Sequence, residues 1–404
     1  MDVLGRVRVT GTLAPYAEGF AGELERLGFT ALSARDQLGL AAHLSRWLGG
    51  AGLGVADLTA PVVAEYLAAR HAAGYTAYRT PKALAPLLAY LRGLGAAPME
   101  EIIAPAGPAE VLAERFRGYL LAERGLQPKV ASRYVARVRP FIASSLPEDG
   151  QPGGLVQLTA ADVTAFMVAE ARRLVPKSAQ MLATALRSLL RFWHLEGLTS
   201  GPLDQAVPKV ANRRPGLPRA LQPAELRALL ASCDQSKPDG RRDYAMMLLL
   251  ARMGLRAGEV AGLQLGDISW RHGEIIILGK PNRRDRLPLP AEIGEAIAAY
   301  LRDGRPSAAL DRSVFIRVKA PRRGLTSGGV TQAVAAAARR AGLGVVHAHR
   351  LRHSAATAML AEGASLDEIG QVLRHRRPLT TAVYAKVNVE ALRGLARPWP
   401  GSLS

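Results

Sequence analysis

The segments HAHRLRHSAATAML (347–360) and VLRHRRPLTTAVYAKV (372–387) gather imidazoles, arginines and a tyrosine close together near the end of the chain. Reading outward, ARMGLRAGEVAGL (251–263) adds Arg256 and Glu259, and LGKPNRRDRLPLP (278–290) adds Lys280 between two strand-like runs. In order, Arg256, Lys280, His349, Arg352, His375 and Tyr384 offer fixed cations, a titratable cation, imidazoles and a phenol. Opening a phosphodiester with a side chain requires a nucleophile, cations on the non-bridging oxygens, an acid for the leaving oxygen and an acceptor for the incoming proton. Every one of those requirements has a candidate.

Each candidate also has a plainer reading. Arg256 follows a hydrophobic helix at Gly254, which permits a turn, and Glu259 one helical turn onward can orient or cap it; the pair could equally be a surface ion pair. The chain uses arginine far more than lysine, so a lysine at a hairpin tip points to a general acid, because arginine does not readily release its proton. Lys280 could still be an ordinary solvated turn residue, while Arg283 and Arg284 beside it are expected to hold the backbone on either side of the phosphodiester. His349 and Arg352 stand at i, i+3 on one helix face, with His347 as an alternative imidazole and His353 as a packing residue. Tyr384 follows a Pro and two Thr suited to a turn and helix start; alone it would read as a core or interface tyrosine.

A net charge of +19 implies a polyanionic partner, because Lys and Arg that neutralise phosphates release counterions. The charge is uneven: residues 1–100 carry 9 basic and 8 acidic side chains, 101–215 carry 15 and 10, and 216–404 carry 29 and 16, so the field is strongest where the motifs lie. Aromatic content of 5% argues against a single-strand binder built on base stacking. No apolar run approaches the roughly 20 residues of a membrane span, and the start MDVLGRVRVT lacks a signal-peptide core. Cys233 is the only cysteine, so neither an intrachain disulfide nor a Cys-based metal cluster can form. A cytoplasmic, nucleoid-associated location is expected, and the Arg-, Ala- and Gly-rich composition goes with a GC-rich bacterial source. Zinc is disfavoured for lack of HExxH, and the absence of a Gly-rich phosphate loop argues against ATP or NAD, so no cofactor is expected.

Pro-rich stretches at 96–110 and 208–226 read as linkers and divide the chain into 1–104, 105–210 and 217–404. Between them lie four amphipathic helical patterns, EVLAERFRGYLLAERGL, KVASRYVARVRPFIASS, TAADVTAFMVAEARRL and KSAQMLATALRSLLRFWHLEGL, with Gly125 and Gly197 as stops and Thr159 with Asp162 as a helix start. Lys177 and Arg187 of the last pattern are expected DNA contacts. LTAPVVAEY (58–66) matches LTAADVTAF (158–166), and LAYLRGLG (88–95) resembles LRFWHLEG (190–197), so the first module reads as a duplicate of the second. Two unrelated helical bundles remain the alternative. Beyond 217, helices alternate with the strands GEIIIL and RLPLP in a mainly α arrangement with a small sheet.

GLRAGE, the hairpin GK, HRLRHSAATAML, LRH and TTAVY, in that order, make the chain resemble a tyrosine recombinase of the phage integrase family, site-specific recombinases and integrases. The resemblance covers the third region and extends to the central module, which is similar to the family's helical, SAM-like core-binding domain. It implies a clamp around duplex DNA in which Tyr384 attacks the scissile phosphate to give a 3′-phosphotyrosine and a free 5′-hydroxyl. Arg256 and Arg352 would bind the non-bridging oxygens, Lys280 would protonate the leaving oxygen, His349 would assist proton transfer and His375 would hydrogen-bond the phosphate, with Glu259 in support. The implied partners are double-stranded recombination sites, a homo-tetramer on two duplexes and accessory proteins, with no membrane. Integration, excision or transposition of a mobile element is the expected use. A type IB topoisomerase-like nicking and closing enzyme, or a non-catalytic DNA-binding relative, is the alternative. The chain departs from the family at Arg374, where glycine is usual, which would change the turn or add a phosphate contact, and its first hundred residues do not resemble a β-sheet arm-binding domain.

Overall fold

The computed structural model describes residues 7–99, 107–146, 152–211, 220–279, 284–307, 309 and 311–374. It divides into two compact units, Met1–Glu101 together with Leu217–Ser404, and Ile102–Gly216.

The Ile102–Gly216 unit is helical: α5 (Pro108–Ala122), α6 (Pro128–Ser145), α7 (Ala160–Ala171) and α8 (Pro176–Leu195). Three of these begin with proline at the first helical position, where the missing N–H costs nothing. Thr159 starts α7 through a capping box, its hydroxyl accepting from Asp162 N at 3.3 Å and Asp162 Oδ2 accepting from Thr159 N at 2.9 Å. Gly125 and Gly197 take positive φ, 57° and 68°, just after α5 and α8, the left-handed stop expected of them. The core is built of aliphatic and aromatic side chains. Phe141 stacks on Trp193 with ring centroids 5.7 Å apart and Phe116 lies 5.7 Å from Phe192, all four side chains buried.

Four helices also build the first hundred residues: α1 (Ala17–Arg26), α2 (Ala31–Gly50), α3 (Ala60–Ala72) and α4 (Pro81–Gly93). A short 3-10 turn precedes α3, and another precedes α7. Phe20, Leu38, Leu44, Tyr66 and Leu91 fill this module's own core. Its α1–α2 turn meets the C-terminal part of the same unit, where Arg322 N donates to Leu27 O at 2.9 Å.

Residues 220–374 are mainly helical with a small sheet, as the patterning indicates. The helices are α9 (Pro223–Ala231), α10 (Pro238–Ala251), α11 (Ala257–Gly262), α12 (Ala291–Asp303), α13 (Ser327–Arg340), α14 (Ala348–Ala361) and α15 (Leu366–Val372). The strands β1 (Ile268–Ser269), β2 (Glu274–Leu278) and β3 (Arg284–Pro288) pair antiparallel in chain order, with Ile275 opposite Leu287 and Leu278 opposite Arg284. Ile275 and Ile277 point into the core from alternate positions of β2. Every residue from Ala245 to Ala251 of α10 is buried, because this helix packs against α12, α13 and α14 together. The strand expected at RLPLP, β3, begins two residues earlier at Arg284, since RDRL supplies backbone partners for β2 whatever its polarity.

Candidate active site

The buried helix α10 ends at Ala251, and three residues on Gly254, with a φ of +62°, turns the chain sharply. The positive φ favours glycine, and a Cβ there would also have to push aside the end of the Leu373 side chain. Arg256 then becomes the N-cap of α11, and Glu259 holds it twice. Glu259 Oε2 accepts the Arg256 backbone N–H at 2.7 Å, and Oε1 accepts Nη1 of the Arg256 side chain at 2.7 Å. The side chain of Glu259 is only 7% exposed while that of Arg256 is 45% exposed, so the carboxylate is buried and the guanidinium faces outward. Burial would raise the Glu259 carboxyl, but the Arg256 N–H, the Arg374 guanidinium and the Arg256 side chain together hold it below the ordinary carboxylate range.

Arg352 behaves differently from its expected partner. It is 2% exposed, and its guanidinium donates to the carbonyls of Gly254 and Leu373. One side chain thus ties the turn before Arg256 to the end of α15. His349, at the start of the same helix α14, is exposed, so the expected i, i+3 pair splits between surface and interior. The His349 ring meets His353 edge-on with centroids 4.4 Å apart. His353 is half-buried, and burial first, then His349 and Arg352, push its imidazole down to about 4. It is a neutral packing residue at physiological pH. His347, the other alternative, is exposed at the N-cap of α14.

Arg374 adopts a φ of +54°, the left-handed conformation that favours glycine. The turn is therefore of the kind a glycine would make. Its guanidinium turns inward, with Nη2 donating to Glu259 Oε2 at 2.7 Å and Nε lying 3.9 Å from Asp285 Oδ2 on β3. Sequence reasoning singled out Arg374 but not these partners, which lie far away in the chain; the left-handed position was the readable signal.

Arg284 is exposed at the first position of β3, and Lys177 is exposed in the first turn of α8. Arg187 is engaged structurally, its Nη2 donating to Val207 O at 2.9 Å and Pro208 O at 3.0 Å, so it secures the segment following α8. Lys280, Arg283, His375 and Tyr384 lie outside the described residues. Among the described residues no group of His, Cys, Asp and Glu is arranged to hold a metal ion, and no helix is long and apolar enough to cross a membrane.

A small antiparallel sheet beside a buried helix, with an arginine–glutamate pair at one end and a buried arginine beneath it, defines a recognisable class. The phage integrase family model matches residues 219–391. The chain is 41% identical to the integrase/recombinase y4rA of Sinorhizobium fredii, over 97% of this chain and 95% of that protein. It is 32% identical to tyrosine recombinase XerD of Listeria monocytogenes, over 68% of this chain and 94% of that one. The solved structure of a XerH site-specific recombinase bound to palindromic difH substrate, in a post-cleavage complex, shares the fold with a TM-score of 0.59 at 19% identity, over 74% of this chain and 98% of that one. The protein belongs to the phage integrase family and is a tyrosine-type site-specific recombinase.

Proposed function

We propose that the protein cuts and rejoins duplex DNA at recombination sites of a mobile element, with Tyr384 as nucleophile. The phenolic oxygen of Tyr384 attacks the scissile phosphorus, the bond from phosphorus to the 5′ oxygen breaks, and a 3′-phosphotyrosine forms. Lys280 gives the leaving oxygen its proton, and His349 assists removal of the proton from the phenol. Arg256 and Arg352 bind the non-bridging oxygens and His375 hydrogen-bonds the same phosphate, while Glu259 fixes Arg256. Arg283 and Arg284 hold the DNA backbone, as does Lys177. Attack by the 5′-hydroxyl of a second strand reverses the step and completes exchange, so the phosphodiester's energy is conserved and no nucleotide is consumed.

The observation that carries this reading is the pairing of an outward-facing Arg256, doubly held by a buried Glu259, with Arg352 tethered to the same turn. Such preorganised cations stabilise charge that develops on a phosphate. The working assembly in this reading is a homo-tetramer on two duplexes, aided by accessory proteins and acting in the bacterial cytoplasm. Three domains are proposed, 1–104, 105–210 and 217–404, the first a duplicate of the second. Support for duplication comes from the repeated order of two helices, a 3-10 turn and two helices, with Thr59 and Thr159 at matching N-caps.

The test uses a supercoiled plasmid carrying two copies of the element's joined ends. Wild type should yield recombinant circles, and Tyr384→Phe should bind the sites without cutting them. Relaxation of plasmids lacking the sites would favour the nicking and closing alternative, and recombination by Tyr384→Phe would remove Tyr384 from its role.

A further inference from the structure

Arg374 is nine-tenths buried, yet its Nε and Nη1 make no hydrogen bond among the described residues. Buried guanidinium donors are rarely left that way, and the backbone strain of φ +54° at a side-chain-bearing residue adds a second cost. Two local penalties at one residue require a compensating gain. Its position supplies one. Glu259 Oε2 is shared by the Arg256 N–H and Arg374 Nη2, and Asp285 Oδ2 stands 3.9 Å from Arg374 Nε. Arg374 thus sits between the carboxylate that holds Arg256 and β3, which follows Lys280 in the chain.

Charge decides what this position does. Arg256, Arg352, Glu259 and Asp285 alone would balance, so this cluster by itself would add no net positive charge behind the outward face of Arg256. Arg374 tips the group positive. It also competes with Arg256 for Glu259, so the carboxylate fixes the Arg256 stem without cancelling its charge. We propose that Arg374 is a positioning residue for strand cleavage, neutralising Glu259 and Asp285 so that Arg256 presents an uncancelled guanidinium to the scissile phosphate. The proposal rests on the recombinase reading above and assigns Arg374 a role inside the protein; the phosphate contact anticipated from sequence is not part of it.

Arg374→Gly is the informative variant, because glycine is at ease at φ +54° and the fold should survive. Single-turnover cleavage of a nicked suicide DNA duplex should slow about 10- to 100-fold, as expected when a catalytic cation is misplaced. Affinity for the uncleaved site should fall by a smaller factor. Arg374→Lys, which keeps the charge but not the fork, should recover part of the rate. In a Glu259→Gln background, where only Asp285 is left to neutralise, adding Arg374→Gly should slow the rate by a distinctly smaller factor than it does with Glu259 in place. Unchanged cleavage by Arg374→Gly would overturn the proposal. So would an equally large effect of Arg374→Gly in the Glu259→Gln background, since Arg374 would then act elsewhere. NMR titration of the Glu259 carboxyl gives a readout independent of activity: its midpoint should rise in Arg374→Gly, and an unmoved midpoint would refute the coupling. Failure of wild type to form any adduct would count against the recombinase reading, with the titration still judging Arg374.

Discussion

The central helical unit and the region from 220 to 374 bury different things. Among the described residues, the central unit encloses aromatic and aliphatic side chains, with only Ser188 and Thr199 as buried polar residues. The later region encloses Arg242, Asp243, Glu259 and Arg352 as well as an apolar core. Taking a charge out of water costs several kcal/mol unless it is paired or hydrogen-bonded. Arg242 is paired to Asp243 at 2.7 Å, and its Nη1 donates to Ile316 O at 3.1 Å. The pairing does not remove the whole cost, because burial still pushes the Asp243 carboxyl upward against the pull of Arg242. The central unit is thus built for stability, whereas the later region accepts charge burial where charges must be held still.

Substitutions should separate the two strategies. The largest loss of stability is expected from Trp193→Ala, about 3–5 kcal/mol from a cavity in the central core. Denaturant unfolding would check it, and a loss below about 1 kcal/mol would mean this core is far looser than its packing implies. Arg352→Ala should cost about 2–4 kcal/mol, because the Gly254 and Leu373 carbonyls lose their donor, and it should also abolish cleavage. Arg352→Lys should restore little, since a lysine cannot bridge two carbonyls in a fixed fork. A folded, fully active Arg352→Ala protein would break the contrast between the regions.

A gentler effect should appear with pH. The folded value of His353, about 4, lies below that of a free histidine, so between the two the unfolded chain binds the extra proton. Its contribution to stability is complete above the ordinary histidine range and is lost as pH falls toward about 4. The depressed Glu259 carboxyl adds a loss at lower pH, below the ordinary carboxylate range. Melting curves of wild type and His353→Phe across this range should diverge, the variant showing the flatter dependence. Parallel curves would mean that His353 does not titrate differently on folding. Smallest of all, Thr159→Ala should cost about 1 kcal/mol through loss of the α7 cap. Calorimetry would register it as a modest drop in Tm without change in chemistry.

The same contrast explains what could be read in advance. Apolar periodicity gave away α5 to α8, because a helix that buries one face repeats its pattern locally. Gly254 and the Arg256–Glu259 spacing were equally local, so the cap on α11 was legible. The inward turn of Arg352 was not, because its partners at Gly254 and Leu373 come from different elements. The partners of Arg187 were hidden in the same way: nothing near it in sequence reveals the carbonyls of Val207 and Pro208. The helix α15 escaped notice through its shortness, although Ser365 and Glu368 form a readable capping box.

The most direct measurement incubates the protein, in EDTA, with a nicked suicide duplex carrying one recombination site, followed by mapping of any covalently joined peptide. The account predicts a metal-independent adduct in which the DNA 3′-phosphate is esterified to Tyr384. Tight binding to the site with no adduct, or an adduct on another residue, would contradict it.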